Sequence, residues 1–410
     1  MEKIEVMSKR ILIVAQNFHP EFFKSTDIAV ELNKRGYTID VLTGIPNYPE
    51  GHFFNGYGVF KRRIESIHRA KVYRAFQIPR GSKPGAIRLS LNYLSFAICA
   101  TLWVLFFFIF KRRYDAIVVH QTSPITQAIP AIMLGKLRRI KVYTWVLDIW
   151  PDSVMAFLSR PRQVIFKPLN ALTEWVYRNS SKILISSPGF RKLVNRYNDY
   201  DSKIYYFPNW CEDIATMEDK PVPQLQGNLK IVMAGNISDA TGMEGVVEVM
   251  KITRSNPDIR WYFIGGGNRV EWLRESVEQN NLHECCEVLG RYPFDAMASF
   301  YRQADIMFIS LKPTTYPHLS NTVPARLQSY MAAGKPVVGM IGEGASQLID
   351  SAACGLTVEA GDIEGCAEMI LNIANNVEQL KKWGDNARRY YLDNFTKEQC
   401  ITNLEHLLFD

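Results

Sequence analysis

Short apolar runs alternate with helical stretches along the whole chain. The first run, Arg10–Ala15 (RILIVA), ends in a polar loop, Gln16–Ser25, and a helix follows that closes at Gly36. Ile39–Leu42, Val72–Ala75, Ala116–His120, Lys141–Val146, Ile183–Ser186 and Ile204–Phe207 read as further strands. They are continuously apolar rather than alternating, as strands covered on both faces require. Asn209–Asn228 is polar, acidic and contains proline, and reads as a linker. The alternation then restarts with Leu229–Ala234, Ile259–Ile264, Cys286–Leu289, Ile306–Ser310 and Pro336–Gly339, and the tail from Glu378 to Asp410 reads as helical. Two such arrays in tandem predict an α/β chain of two Rossmann-like, doubly wound domains facing a central cleft. The expected boundaries are 1–208, 209–395, and a C-terminal helix at 396–410 that crosses back to the first domain.

Between the third and fourth strands the pattern breaks. Leu89–Phe110 carries no charged residue and ends LWVLFFFIF before Lys111-Arg112-Arg113. Such a stretch is long enough to span a bilayer. Arg80, Lys83 and Arg88 stand on its other side, so both ends carry the positive charge typical of a cytoplasmic flank. If the neighbouring strands share one sheet, the helix cannot cross. The expectation is a helix packed on the sheet by one face, with the other lying on an anionic membrane surface through residues 80–113. A plain core helix is the alternative.

Charge adds an asymmetry. Of 48 Lys+Arg and 41 Asp+Glu in 410 residues, Met1–Pro208 holds 31 and 14, a balance of +17, which leaves −10 for the remainder. Only the first half suits a polyanion. The adjacent uncharged stretch favours lipid over nucleic acid. The seven cysteines form no CxxC pair, and His283-Glu284-Cys285-Cys286 reads as a strand entrance rather than a zinc site. Dispersed thiols suit a reducing compartment. Asp199-Tyr200-Asp201 has the form of a metal–nucleotide DxD but its setting reads as a turn. No metal site is expected.

Candidate chemistry clusters at strand ends. His19 and Glu21 sit in the loop after the first strand, and Asn47 in the rigid TGIPNYPEG loop after the second. All three are placed to meet an acceptor. In WVLDIWPD, Asp148 leaves a strand at its C-terminal end, where a carboxylate can orient an attacking hydroxyl or act as the next helix's N-cap. Gly235, Asn236, Gly265 and Gly266 follow the first two strands of the second array, where backbone N–H groups can approach phosphates. They match neither GxGxxG nor the P-loop. In TVPARLQSYMAAGKPVVGM, Arg326 and Ser329 lie one turn apart on one helix face, and Arg326 can pair with a diphosphate. Glu343 opens a helix after the next strand, as a cap or as a ribose or sugar ligand.

Together these pieces resemble the family 4 glycosyltransferases of the GT-B fold. The resemblance is nearest to those building bacterial O-antigen, capsule and colanic-acid-type polysaccharides, including the L-fucosamine transferase group. It implies a retaining, metal-independent transfer from a nucleotide diphosphate-sugar to a lipid-linked (polyprenyl diphosphate) saccharide, with no cofactor. A UDP-sugar is the first choice of donor and an N-acetylated deoxysugar the first choice of transferred group. The expected location is the cytoplasmic face of a bacterial inner membrane, as a peripheral protein. The leaving diphosphate would accept the proton, with Asp148 orienting. One departure is clear: the Glu-x7-Glu positions read Asn321 and Ser329, and the usual phosphate cations read Asn236 and Thr241. Arg326 and Glu343 are the expected substitutes. An inactive homologue acting as a scaffold and a sugar-nucleotide epimerase are the other readings.

Overall fold

The computed structural model describes residues 8–82, 85–157, 163–314 and 316–410. Lys83, counted above among the basic flank, lies outside them. The chain forms two compact units: Met1–Ser186 with Arg191–Phe207 and Asn403–Asp410, and Ser187–Phe190 with Pro208–Thr402.

The first unit holds eight strands: β1 (Arg10–Val14), β2 (Thr38–Gly44), β3 (Ile64–Ile67), β4 (Ala70–Ala75), β5 (Ala116–Gln121), β6 (Val142–Val146), β7 (Lys182–Ile185) and β8 (Ile204–Tyr206). They form one sheet in the order β3-β4-β2-β1-β5-β6-β7-β8. All neighbours are parallel except β3 and β4. β5 and β6 are buried at every position, which explains their unbroken apolar reading. β3 was not expected. It is an edge strand whose side chains are exposed or half-buried, in a basic segment with no apolar run. His68 and Arg69 turn the β3–β4 hairpin, both at positive φ (47° and 68°). Two left-handed residues are what a tight hairpin of this hand requires. Without the usual Asn-Gly the turn leaves no mark on the sequence.

The second unit holds β9 (Leu229–Ala234), β10 (Ile259–Ile264), β11 (Cys286–Gly290), β12 (Ile306–Ser310), β13 (Val337–Ile341) and β14 (Gly355–Glu359). Their order is β11-β10-β9-β12-β13-β14, all parallel. Alternate residues feed two core layers. Ile231, Met233, Trp261, Phe263 and Phe308 enter one, and Val232, Ala234, Tyr262, Ile264 and Ile309 the other. Each sheet reverses direction of growth beside its first strand, between β1 and β5 and between β9 and β12. In doubly wound sheets, ligands bind at that reversal, outside the strand C-termini.

The uncharged stretch is the helix Ala86–Phe106, continued by a short turn at Phe108–Phe110. The strands before and after it, β4 and β5, belong to one sheet. One helix face is buried through Asn92, Phe96, Ala97, Ala100 and Val104. The other is open: Ile87 is 80% exposed, Ile98 60%, Phe106 76% and Phe110 81%. Of the basic triplet after it, Lys111 turns inward, its Nζ 2.8 Å from Asp40 Oδ2. The DxD segment is a turn in which Asp201 accepts from Arg191 and Asn195. Cys286 opens β11.

Candidate active site

In the second unit, glycine brings two loops together at the reversal point. Gly235, at φ 119°, ends β9, and Gly265, at φ 149°, ends β10. A Cβ on Gly265 would lie 1.8 Å from the Gly235 carbonyl oxygen. The backbone N–H of Ile237 donates to Gly266 O at 2.8 Å, which stitches the loops further. Bare backbone is therefore what allows the two strand ends to approach.

The helix Arg326–Ala332 is tied to the same point. Tyr330 Oη donates to Ala234 O at 2.8 Å and accepts from Ala234 N at 2.9 Å. One turn earlier, Arg326 Nη2 donates to Asn236 O at 2.5 Å. Its guanidinium lies over Gly235, 3.4 Å from where a Cβ would stand. Its Nη1 is buried and makes no hydrogen bond among the described residues. A buried guanidinium nitrogen without an acceptor costs free energy that an anion would recover. The structure thus gathers Gly235, Asn236, Gly265, Gly266 and Arg326 into one cluster. Ser329 follows one turn on, half-buried. Glu343 opens the helix after β13, and Gln347 Nε2 donates to its Oε1 at 3.0 Å. β13 is two strands from β9, roughly 10 Å at ordinary strand spacing. Sequence reasoning missed Arg291, whose Nε stands 2.8 Å from a Cβ built on Gly266. It follows Gly290 at the end of β11, and a cation just past a strand-end glycine was the available signal.

In the first unit, Asp148 stands just past β6. Ser123 Oγ donates to its Oδ2, Gln121 Nε2 donates to its backbone carbonyl at 3.1 Å, and Trp150 Nε1 donates to Ser123 Oγ at 2.8 Å. The next helix begins only at Asp152, so Asp148 is not positioned as its N-cap. His120, at the end of β5, is fully buried against Trp145 and Phe23. Burial pulls its imidazole down to about 3, so it is neutral.

The three acceptor-loop residues separate into two kinds. Glu21 is buried, and its carboxylate accepts from the backbone N–H of Asn47 (2.8 Å), Tyr48 (2.7 Å) and Phe18 (3.2 Å) and from Asn17 Nδ2 (3.0 Å). Burial nevertheless raises its pKa, because desolvation outweighs those bonds. Asn47 is buried too. It donates to Ile45 O at 3.1 Å and accepts from Arg80 N at 3.1 Å. Both side chains brace the loops around β1 and β2. His19 alone faces open space, lining a cavity of about 620 Å³ with Glu50, His52, Phe54, Tyr57 and Arg62. Burial, and then the charges of His68 and Arg74, lower its pKa. Arg74, fully buried, reaches His19 O at 2.7 Å and pairs with Glu65 at 2.6 Å.

Two doubly wound units, each with polar groups collected at its reversal point, define a GT-B-type group-transfer enzyme. Residues 216–390 match the glycosyl transferases group 1 family and residues 25–210 the glycosyl transferase 4-like domain. The chain belongs to the family 4 glycosyltransferases of bacterial polysaccharide biosynthesis, and is a glycosyltransferase. It is 23% identical over 344 residues to an Escherichia coli (strain K12) protein named as a colanic acid biosynthesis glycosyl transferase, WcaI, covering 79% of this chain and 81% of that one. It is 24% identical over 147 residues to the amylovoran biosynthesis glycosyltransferase AmsK of Erwinia amylovora, 36% of each chain. Among solved structures, sucrose-phosphate synthase from Thermosynechococcus elongatus superposes with a TM-score of 0.69 at 15% identity, over 98% of both chains. Anabaena HepE, solved with UDP, gives 0.66 at 13% identity, over 98% and 99%.

Proposed function

We propose that the enzyme moves a sugar from a nucleotide diphosphate donor, a UDP-sugar first, onto a lipid-linked saccharide, with retention of configuration and without a metal. The observation that carries the reading is Arg326 over Gly235. A guanidinium with a buried unsatisfied nitrogen stands over two glycine turns that carry no side chain to bar a ligand, an arrangement suited to a diphosphate. It supplies the positive charge that Asn236 and Thr241 do not. Glu343 and Ser329 are assigned to the sugar and ribose hydroxyls. Asp148, fixed by Ser123, orients the acceptor hydroxyl, and the departing diphosphate takes the proton from it. Net negative charge in the second unit does not oppose this, since a diphosphate responds to the nearest cations at short range.

The acceptor is assigned to the first unit, which is assigned in turn to the cytoplasmic face of the membrane. Support comes from the open face of the Ala86–Phe106 helix, where Ile87, Leu91, Leu94, Ile98, Leu102 and Phe106 repeat every three or four residues. Exposed apolar surface this continuous, with Arg112 and Arg113 at one end, fits a helix lying in the lipid interface. Lys111 takes no part, because Asp40 holds it.

The test is a thermal-shift series with UDP, GDP and dTDP on wild type and Arg326→Ala. One nucleotide is expected to raise the wild-type midpoint and to have little effect on the variant. Equal stabilisation of both would remove Arg326 from the donor site.

A further inference from the structure

Between Asp148 and the start of the long helix runs a line of aromatic side chains with a guanidinium at its far end. Trp150, hydrogen-bonded to the same Ser123 that holds Asp148, meets Tyr93 with ring centroids 6.3 Å apart. The Arg80 guanidinium lies over the ring of Tyr48, 4.9 Å from its centroid. Burial raises the pKa of Tyr93, while Arg80 lowers it and Asp148 and Tyr48 raise it further, so one phenol senses both ends of the line.

The line is rigid. Asn92 Nδ2 donates to Ile78 O at 2.6 Å, and Ile78 N donates to Ser95 Oγ at 2.9 Å, so the segment before Arg80 is clamped to the helix that carries Tyr93. Arg80 N donates to Asn47 Oδ1 at 3.1 Å, and Gly81 N to Gly51 O at 2.8 Å. Arg80 makes no ion pair among the described residues, although its backbone is fixed on both sides. Nearby Arg88 is already committed, its Nε donating to Pro79 O at 2.7 Å. A stacked guanidinium keeps its in-plane N–H groups for a planar or tetrahedral anion.

We propose that Arg80 holds a phosphate of the acceptor's lipid diphosphate, and that the attached sugar lies along Tyr93, which the buried Trp150 backs, with its free hydroxyl at Asp148. This rests on the lipid-linked acceptor reading and names the part of the first unit that reads it. The chemistry is divided along the line. The guanidinium meets the charge, the Tyr93 ring meets the apolar face of the sugar, and the carboxylate meets the hydroxyl. The polyprenyl chain then leaves from the end where the apolar helix face begins at Ile87.

The test is co-sedimentation of the full chain with phosphatidylcholine vesicles. The vesicles carry polyprenyl diphosphate, polyprenol, or enough phosphatidylglycerol to match the diphosphate charge. Wild type is expected to bind the diphosphate vesicles about 10-fold more tightly than the polyprenol vesicles, a difference of ~1.4 kcal/mol. Arg80→Gln should lose that preference while keeping its melting midpoint and its binding to polyprenol vesicles. Arg80→Lys should retain part of the preference. An unchanged preference in Arg80→Gln overturns the assignment, as does phosphatidylglycerol reproducing all of it. Wild type binding every vesicle without preference refutes the Arg80 anchor alone. Wild type binding none refutes the membrane reading beneath it.

Discussion

The two units share a strand order at their centres and solve the same problem in opposite ways. Each must hold irregular loops beside the reversal of its sheet. The first unit does it with side chains: Gln16 Nε2 donates to Gln77 (2.8 Å) and Asn92 (2.9 Å), Gln127 accepts from Gln16 N (2.9 Å), and Glu21 ties down two loops. The second does it with absent side chains, at Gly235, Gly265 and Gly267, where backbone lies against backbone. The first strategy builds a shaped, polar surface. The second leaves bare backbone beneath the Arg326 guanidinium. The difference teaches that net charge is a poor guide to where bare backbone and an unsatisfied guanidinium collect. The acidic unit carries the glycine turns and Arg326, and the basic unit carries a buried carboxylate and a neutral histidine at its strand ends.

The contrast can be broken most forcefully at Gly265. Alanine there meets Gly235 O at 1.8 Å with φ at 149°, so Gly265→Ala should cost about 3 kcal/mol or more and remove nucleotide binding. Denaturant unfolding checks it, and an unchanged midpoint would mean the loops are not packed as described. Glu21→Gln comes next. The amide replaces a carboxylate that accepts four hydrogen bonds and turns a donor toward backbone N–H groups, at about 2–3 kcal/mol. Turnover should suffer through the acceptor KM, with the donor KM unchanged. A raised donor KM would show that the brace is not local to the first unit.

His120 sharpens the comparison through pH. Its folded pKa is depressed to about 3 from an ordinary 6.5. The unfolded chain takes a proton below 6.5 and the folded chain does not until near 3. Stability from this group is therefore complete above 6.5 and is lost as pH falls toward 3, by up to ~1.4 kcal/mol per pH unit. His120→Gln should flatten that part of the melting-midpoint profile, and an equally steep profile would assign acid sensitivity elsewhere. The smallest effect on the fold is at the helix face. Ile98→Glu should leave the melting midpoint nearly unchanged and abolish sedimentation with anionic vesicles.

Much of this architecture was legible, for a physical reason. Strands buried on both faces, such as β5 and β12, are apolar along most of their length, and polar residues appear at their C-terminal ends. The edges were not legible. β3 is half-exposed and basic, and β14 opens with a glycine packed on Val337 and carries exposed positions. Neither has a face that burial would make apolar. Motif position put Asp148 and the glycines at strand ends and Arg326 at a helix start, because such positions are marked locally. Glu21 and Asn47 were placed in the loops after β1 and β2, but part of their inward bonding comes from residues 26 or more positions away. Lys111 read as a lipid-facing cation until Asp40, 71 residues earlier, was seen to hold it. Arg291 is marked only by its place just past Gly290, since its approach to Gly266, like the stacking of Arg80 on Tyr48, comes from the fold.

The central claim is that the acidic second unit binds the donor diphosphate through Arg326 at the Gly235 turn. Calorimetric titration of the full chain with the nucleotide that gives the largest thermal shift tests it most directly. The account predicts that Arg326→Ala weakens the affinity at least about 10-fold, or ~1.4 kcal/mol, with its melting midpoint in the absence of nucleotide close to wild type. Wild-type affinity in that variant would contradict it.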